Sequence, residues 1–146
     1  MIRYFFLFIL LTTGCCAFAQ HDPSDLIESD EWNIIGNIKT KYLKPGVTSV
    51  VFPEQIKKYE KKPFELEGYM IPIKVGMKQT RFLLSSLPIN QCFYCGKNGV
   101  PMMVIVEMAE PIPISKETIL VRGILNLSAA ANSEPVVLRA SKRIGN

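Results

Sequence analysis

Phe64-Glu65-Leu66-Glu67-Gly68-Tyr69-Met70-Ile71-Pro72-Ile73 is the stretch on which the reading of this chain turns. Its side chains alternate with period two, which is the period of a strand, and Gly68 marks a bulge where a barrel strand bends. Working outward, Val75 to Gln79 reads as a hairpin loop into a second strand, Thr80 to Ser86. Met102 to Met108 is an apolar strand ended by the breakers Pro111 and Pro113. Thr118 to Leu127 is the next, again with a central glycine, and Pro135 to Ser141 closes the domain after a loop at Ala129 to Glu134. Upstream, Trp32 to Tyr42 also alternates and reads as a strand broken at Gly36, before a turn at Lys44-Pro45-Gly46. Only Phe52 to Glu60 reads as a helix of about two turns, with Pro53 at its first position, Glu54 at its positive end and Lys57 and Lys58 in its last turn.

Five or six strands with one short helix make an all-β domain. Long apolar strands at open edges invite aggregation, and curling the sheet into a small barrel removes the edges. An OB-like barrel, closed or partly open, is the expected architecture, with a β-sandwich as the alternative.

The chain has 146 residues, 48% hydrophobic and 21% charged, which suits one domain with a packed core and excludes disorder, collagen and coiled coil. It lacks the glycine-rich nucleotide loops, H-E-x-x-H and G-x-S-x-G. Arg3, the apolar block Tyr4 to Leu11 and Ala17-Phe18-Ala19 before Gln20 read as a signal peptide over residues 1–19. The competing reading is a lipoprotein signal acylated at Cys15 or Cys16, since Gly14 precedes Cys15 as a lipobox wants, although Thr12 stands where leucine is usual. Residues 20–31 then form an acidic, flexible leader and residues 32–146 the single domain. Loss of Arg3 leaves sixteen Lys and Arg against thirteen Asp and Glu, a net +3. Lys57, Lys58, Lys61 and Lys62 are interleaved with Glu54, Glu60, Glu65 and Glu67, which is a solvated surface rather than a nucleic-acid face. No later segment approaches the length of a membrane span.

The run from Phe64 to Ile73, then Phe82-Leu83-Leu84, a cysteine-containing loop ending at Pro101 and Met103-Val104-Ile105-Val106 resembles an exported bacterial family known as domain of unknown function 3299. The resemblance covers residues 50–128, and Gly68-Tyr69-Met70-Ile71-Pro72 is its most specific element. It implies an OB-like barrel in the cell envelope, beside an ABC-type transport system or a metal-uptake protein. It brings no catalytic residues to this chain, whose Cys92-Phe93-Tyr94-Cys95-Gly96 loop also departs from the family's proline cluster.

Cys92 and Cys95, on the Leu87–Pro101 loop, are the only constellation with reactive potential. In an exported chain they pair most simply as a structural disulfide that fixes the loop, worth about 2 kcal/mol. A thioredoxin-type redox pair needs a helix N-terminus at the first cysteine, and Gly96, Asn98 and Gly99 argue against one. A metal site is the third reading: zinc wants four ligands, whereas two thiolates with a thioether from Met102 or Met103 suit copper(I). Free thiols are the fourth. The only histidine, His21, lies in the leader, which removes the usual base for Ser85 or Ser86. Glu65 and Glu67 share a solvent face, and Trp32 and Tyr69 fit core alternation better than a stacking platform.

The chain therefore reads as a non-enzymatic binding or accessory module of the periplasm or envelope, without cofactor or nucleic acid, docking a protein partner such as an ABC-type transporter component. The alternatives are a thiol–disulfide oxidoreductase, or a handler of one copper or zinc ion, built on Cys92 and Cys95. N-terminal sequencing of the exported protein should return Gln20 as the first residue; an intact Met1 in the cytosol, or an acylated Cys15 or Cys16, contradicts the cleavage site.

Overall fold

Helix α1 (Asp30–Gly36) opens the described chain where the alternation predicts a strand. This is a computed structural model, and it describes residues 25–88 and 102–145. Ser29 caps α1, its hydroxyl accepting from the Trp32 N–H at 3.2 Å, and Asp30 and Glu31 sit at the positive end of the first turn. Trp32 and Ile35 are both buried. Three apart, they share a face on a helix but not on a strand, so the core selects the helix. The helix takes up Asp30 and Glu31 from the stretch read as leader, and Ile27 packs against the core.

Strands β1 (Lys39–Lys44) and β2 (Val47–Val51) form an antiparallel ribbon about the Pro45-Gly46 turn, where Gly46 adopts φ +74°. The ribbon is anchored to the loop before the last strand: the Thr48 N–H donates to Asn132 Oδ1 at 3.1 Å, the Asn132 N–H to the Thr48 carbonyl at 2.9 Å. Helix α2 (Glu54–Lys57) is a single turn rather than two, with Pro53 as its N-cap instead of its first residue. It buries Ile56 completely, and Tyr59 just beyond it meets Phe64 edge-on at 5.3 Å.

The barrel comprises β3 (Pro63–Pro72), β4 (Lys78–Ser85), β5 (Met103–Pro113), β6 (Thr118–Leu127) and β7 (Val136–Ile144), closed in the order β3-β4-β5-β7-β6. Only β5 and β7 pair in parallel. The chain is thus mainly β with an OB-like closed barrel, and the sandwich alternative falls. Alternate residues of each strand point inward: Phe64, Leu66 and Met70 from β3, Phe82 and Leu84 from β4, Val104 and Val106 from β5. Trp32 joins them from α1, 1% exposed, its indole N–H donating to the Glu67 carbonyl at 2.7 Å. Among the described residues no helix is long and apolar enough to cross a membrane.

Two expectations about strand breaks are corrected. Gly68 is no bulge: it pairs in unbroken register with Ile119, and a Cβ there would stand 2.7 Å from Leu84 Cγ and 2.8 Å from the Ser85 carbonyl. Its lack of a side chain lets β3 approach β4 closely. The barrel's register shifts lie elsewhere: in β7, opposite Gly123, where Ala140 takes φ +49°, and in β5, opposite Gln79–Arg81. Pro111 and Pro113 do not end β5 either: pairing with β7 stops at Met108, Pro111 lies in the register shift opposite Gln79–Arg81, and Pro113 still stands opposite Lys78 on β4.

Trp32→Phe should lower unfolding stability by about 2–3 kcal/mol in urea, from the unpaired Glu67 carbonyl and the gap left behind. Gly68→Ala should cost about 1–3 kcal/mol by overpacking against β4.

Candidate binding face

Strand alternation places a second set of residues outside the barrel. Ile71 on β3 stands opposite Leu83 on β4, Leu83 opposite Ile105 on β5, and Ile105 opposite Val137 on β7. This outward row crosses four strands in register and is entirely apolar. Ile71 and Val137 at its ends are buried, Leu83 and Ile105 in its middle are half-buried, and none of the four belongs to the core cluster.

The next outward position carries charge. Arg81 on β4 stands opposite Glu107 on β5, with Nε 3.4 Å from Oε1, and its other end pairs with Glu134 from the loop before β7. Arg139 on β7 approaches the second Glu107 oxygen at 3.5 Å. Two arginines and two carboxylates therefore form one chain of ion pairs beside the apolar row. The hydrogen bond to Glu134 holds the Arg81 guanidinium above its ordinary value, helped by the charges of Glu134 and Glu107 and opposed by partial burial. Arg81 thus carries its charge throughout the pH range in which proteins stay folded, and its contribution would fade only as pH rose through that raised value. Each of these groups is at least one-third exposed, so each pair alone contributes little.

On the other side of the row stand Tyr69, Ser85 and Met103, again in register. Burial, then the charges of Asp25 and Glu67, push the Tyr69 phenol above its ordinary range. Ser85 is buried and accepts from the Leu87 N–H at 3.1 Å. The adjacent Ser86 is also buried, its carbonyl accepting from the Ile27 N–H at 3.0 Å. Ser85 thus braces the local turn after β4, and Ser86 ties the segment before α1 to it.

Cys15, Cys16, His21, Cys92 and Cys95 lie outside the described residues. Of the two methionines paired with the cysteines as metal candidates, Met102 packs against the core beside α1, its sulfur 2.9 Å from where a Cβ on Gly36 would lie. Met103 is the residue opposite Ser85, at the start of β5. Glu65 pairs with Arg122, and Glu67 accepts from the Thr118 hydroxyl at 2.8 Å, in line with their reading as a solvent face. Among the described residues there is no group of three or more His, Cys, Asp or Glu side chains placed to share a metal.

Two open clefts lie elsewhere among the described residues. One of about 680 Å3 between the helices and β3 is lined by Asp30, Asn33, Asn37, Gln55, Lys58 and Glu65. The other, about 510 Å3, runs over the β7 irregularity between Arg122 and Lys142. Neither has a buried titratable side chain in its wall. The ion-pair network was not anticipated from sequence, although a signal existed: Arg81, Glu107 and Arg139 are each a lone charge inside an apolar strand run.

Comparison of the chain with family models, curated proteins and solved structures finds no match.

Glu107→Gln removes the carboxylate that joins both arginines. It should lower stability by about 0.5–1 kcal/mol at low salt, with a smaller difference in high salt, measured by urea unfolding at two ionic strengths.

Proposed function

We propose that the protein is a binding module that docks a protein partner on the outward face of β3, β4, β5 and β7. One observation carries this reading: the apolar row Ile71–Leu83–Ile105–Val137 lies outside the core and is bordered by the Arg81–Glu107–Arg139 network. An apolar centre with a charged, half-exposed margin is the make-up of a protein–protein contact, in which the centre supplies affinity and the charges supply register and selectivity. Ile71 and Val137 at the ends of the row are already buried, so Leu83 and Ile105 in its middle, half-buried, are the side chains offered to the partner.

Export through the residue 1–19 segment would place this module in the periplasm or envelope, where a component of a transport system is a fitting partner. In that reading Cys92 and Cys95 form a disulfide that shapes their loop and take no part in catalysis.

Affinity purification from envelope extracts tests the proposal. The unaltered protein should retain a stoichiometric partner, and Ile105→Asp and Leu83→Asp should each weaken its retention by at least about tenfold while leaving cooperative unfolding intact. Equal retention by both variants overturns the proposal. Insulin reduction that is lost in Cys92→Ser would move the function to thiol–disulfide exchange.

A further inference from the structure

One end of the barrel carries apolar side chains that neither the core nor the outward row uses. The loop of residues 73–77 joins β3 to β4, and that of residues 114–117 joins β5 to β6. They lie at the same end, because Lys78 pairs with Pro113 and Tyr69 with Thr118, and the Ile114 N–H donates to the Met77 carbonyl at 3.0 Å. Val75 is fully exposed and Met77 is 81% exposed, with Ile73 and Ile114 exposed beside them.

This end is held in shape. Gln79, only 2% exposed, turns its amide into the loop and donates to the Lys74 carbonyl at 3.0 Å and the Gly76 carbonyl at 2.9 Å. Both N–H donors of that buried amide are thereby used, and Gly76 takes the φ of +137° that the turn requires. The loop is thus braced from within, with Val75 and Met77 standing out into solvent rather than folded back.

The charge of these two loops is positive on balance. Residues 73–78 and 114–117 include Lys74, Lys78 and Lys116, all exposed, against the single carboxylate Glu117. Exposed apolar side chains flanked by lysines match an interface that is apolar beneath and anionic at its surface.

We infer that this end of the barrel is a membrane-surface contact: Val75, Met77, Ile73 and Ile114 enter the headgroup layer of an anionic lipid bilayer while Lys74, Lys78 and Lys116 bind the lipid phosphates. The contact is peripheral and uses no spanning segment. A protein occupant would call for a mixed-charge or acidic rim partner, and is the alternative outcome of the test.

Sedimentation of the purified protein with vesicles of phosphatidylcholine, alone or mixed with phosphatidylglycerol, tests the contact. Binding should favour the anionic vesicles and fall about fivefold for each of Lys74→Glu, Lys78→Glu and Lys116→Glu. The double variant Val75→Asp/Met77→Asp should bind at least about tenfold more weakly, with an unchanged unfolding midpoint. The apolar stretch Tyr4 to Leu11, if retained, adds binding that these substitutions leave untouched, so the differences between variants isolate the barrel end. Val75→Trp gives a direct report, since Trp32 is buried: its emission should shift to the blue on anionic vesicles. Equal binding by the double variant, or a Val75→Trp emission blind to vesicles, overturns the inference and leaves a protein as the occupant of this end.

Discussion

Closure of β6 on β3 is the constraint from which the rest of the structure follows. The two strands pair without interruption from Pro63 opposite Ile124 to Tyr69 opposite Thr118. That seam removes the sheet's open edges and divides every barrel residue into an inward or an outward class. Inward residues must fill a small closed space, so Phe82, Leu84, Val106, Val121, Leu125 and Leu138 have essentially no exposure. The strands alone do not complete that core. Trp32 and Ile35 from α1 and Ile56 from α2 add to it, and the Trp32 indole finds its hydrogen-bond acceptor in Glu67, a residue of the closing strand itself.

The barrel was legible in the sequence because its strands are two-sided. A strand with one face in a core and the other toward solvent writes its period into the residues, as Phe64-Glu65-Leu66-Glu67 does. Residues 32–42 alternate almost as well; the rule holds for residues 39–42, which lie in β1, and misleads for residues 32–36, which are helical. The physical determinant is the pair Trp32 and Ile35, which the barrel buries together, with Ser29, Asp30 and Glu31 as an N-terminal signature. Alternation describes what a segment allows; the partner that buries it decides which of two readings is used. Gly68 teaches a related point. A glycine inside a strand means either a bulge or a close approach, and only the position of Leu84 and Ser85 across the gap distinguishes them.

The outward face was less legible, for a reason of distance along the chain. Arg81 and Glu107 are separated by 26 positions and Arg81 and Glu134 by 53, so nothing local connects them. The apolar row is similarly dispersed: each of its four residues comes from a different strand, and in isolation each looks like core. Register turns them into a surface. Once Leu83 is known to face Ile105 and Ile105 to face Val137, their outward direction follows from the pleat.

A closed barrel frees its exterior from the demands of folding, which bears on how its two unusual surfaces should be read. Exposed apolar groups add little to the core and carry a risk of association, and at the loop end Val75 and Met77 stand almost fully in solvent. The two places differ in what surrounds them. The strand face is bordered by charges of both signs already paired with one another, a margin that can re-pair with a structured, mixed-charge neighbour. The loop end is bordered almost wholly by lysines, and its apolar residues project on a turn braced by Gln79. Mixed charge selects among shapes, whereas charge of one sign selects a surface of the other. The proposed protein partner on the side and lipid surface at the end are therefore separate consequences of one closed sheet, and one molecule could hold both at once.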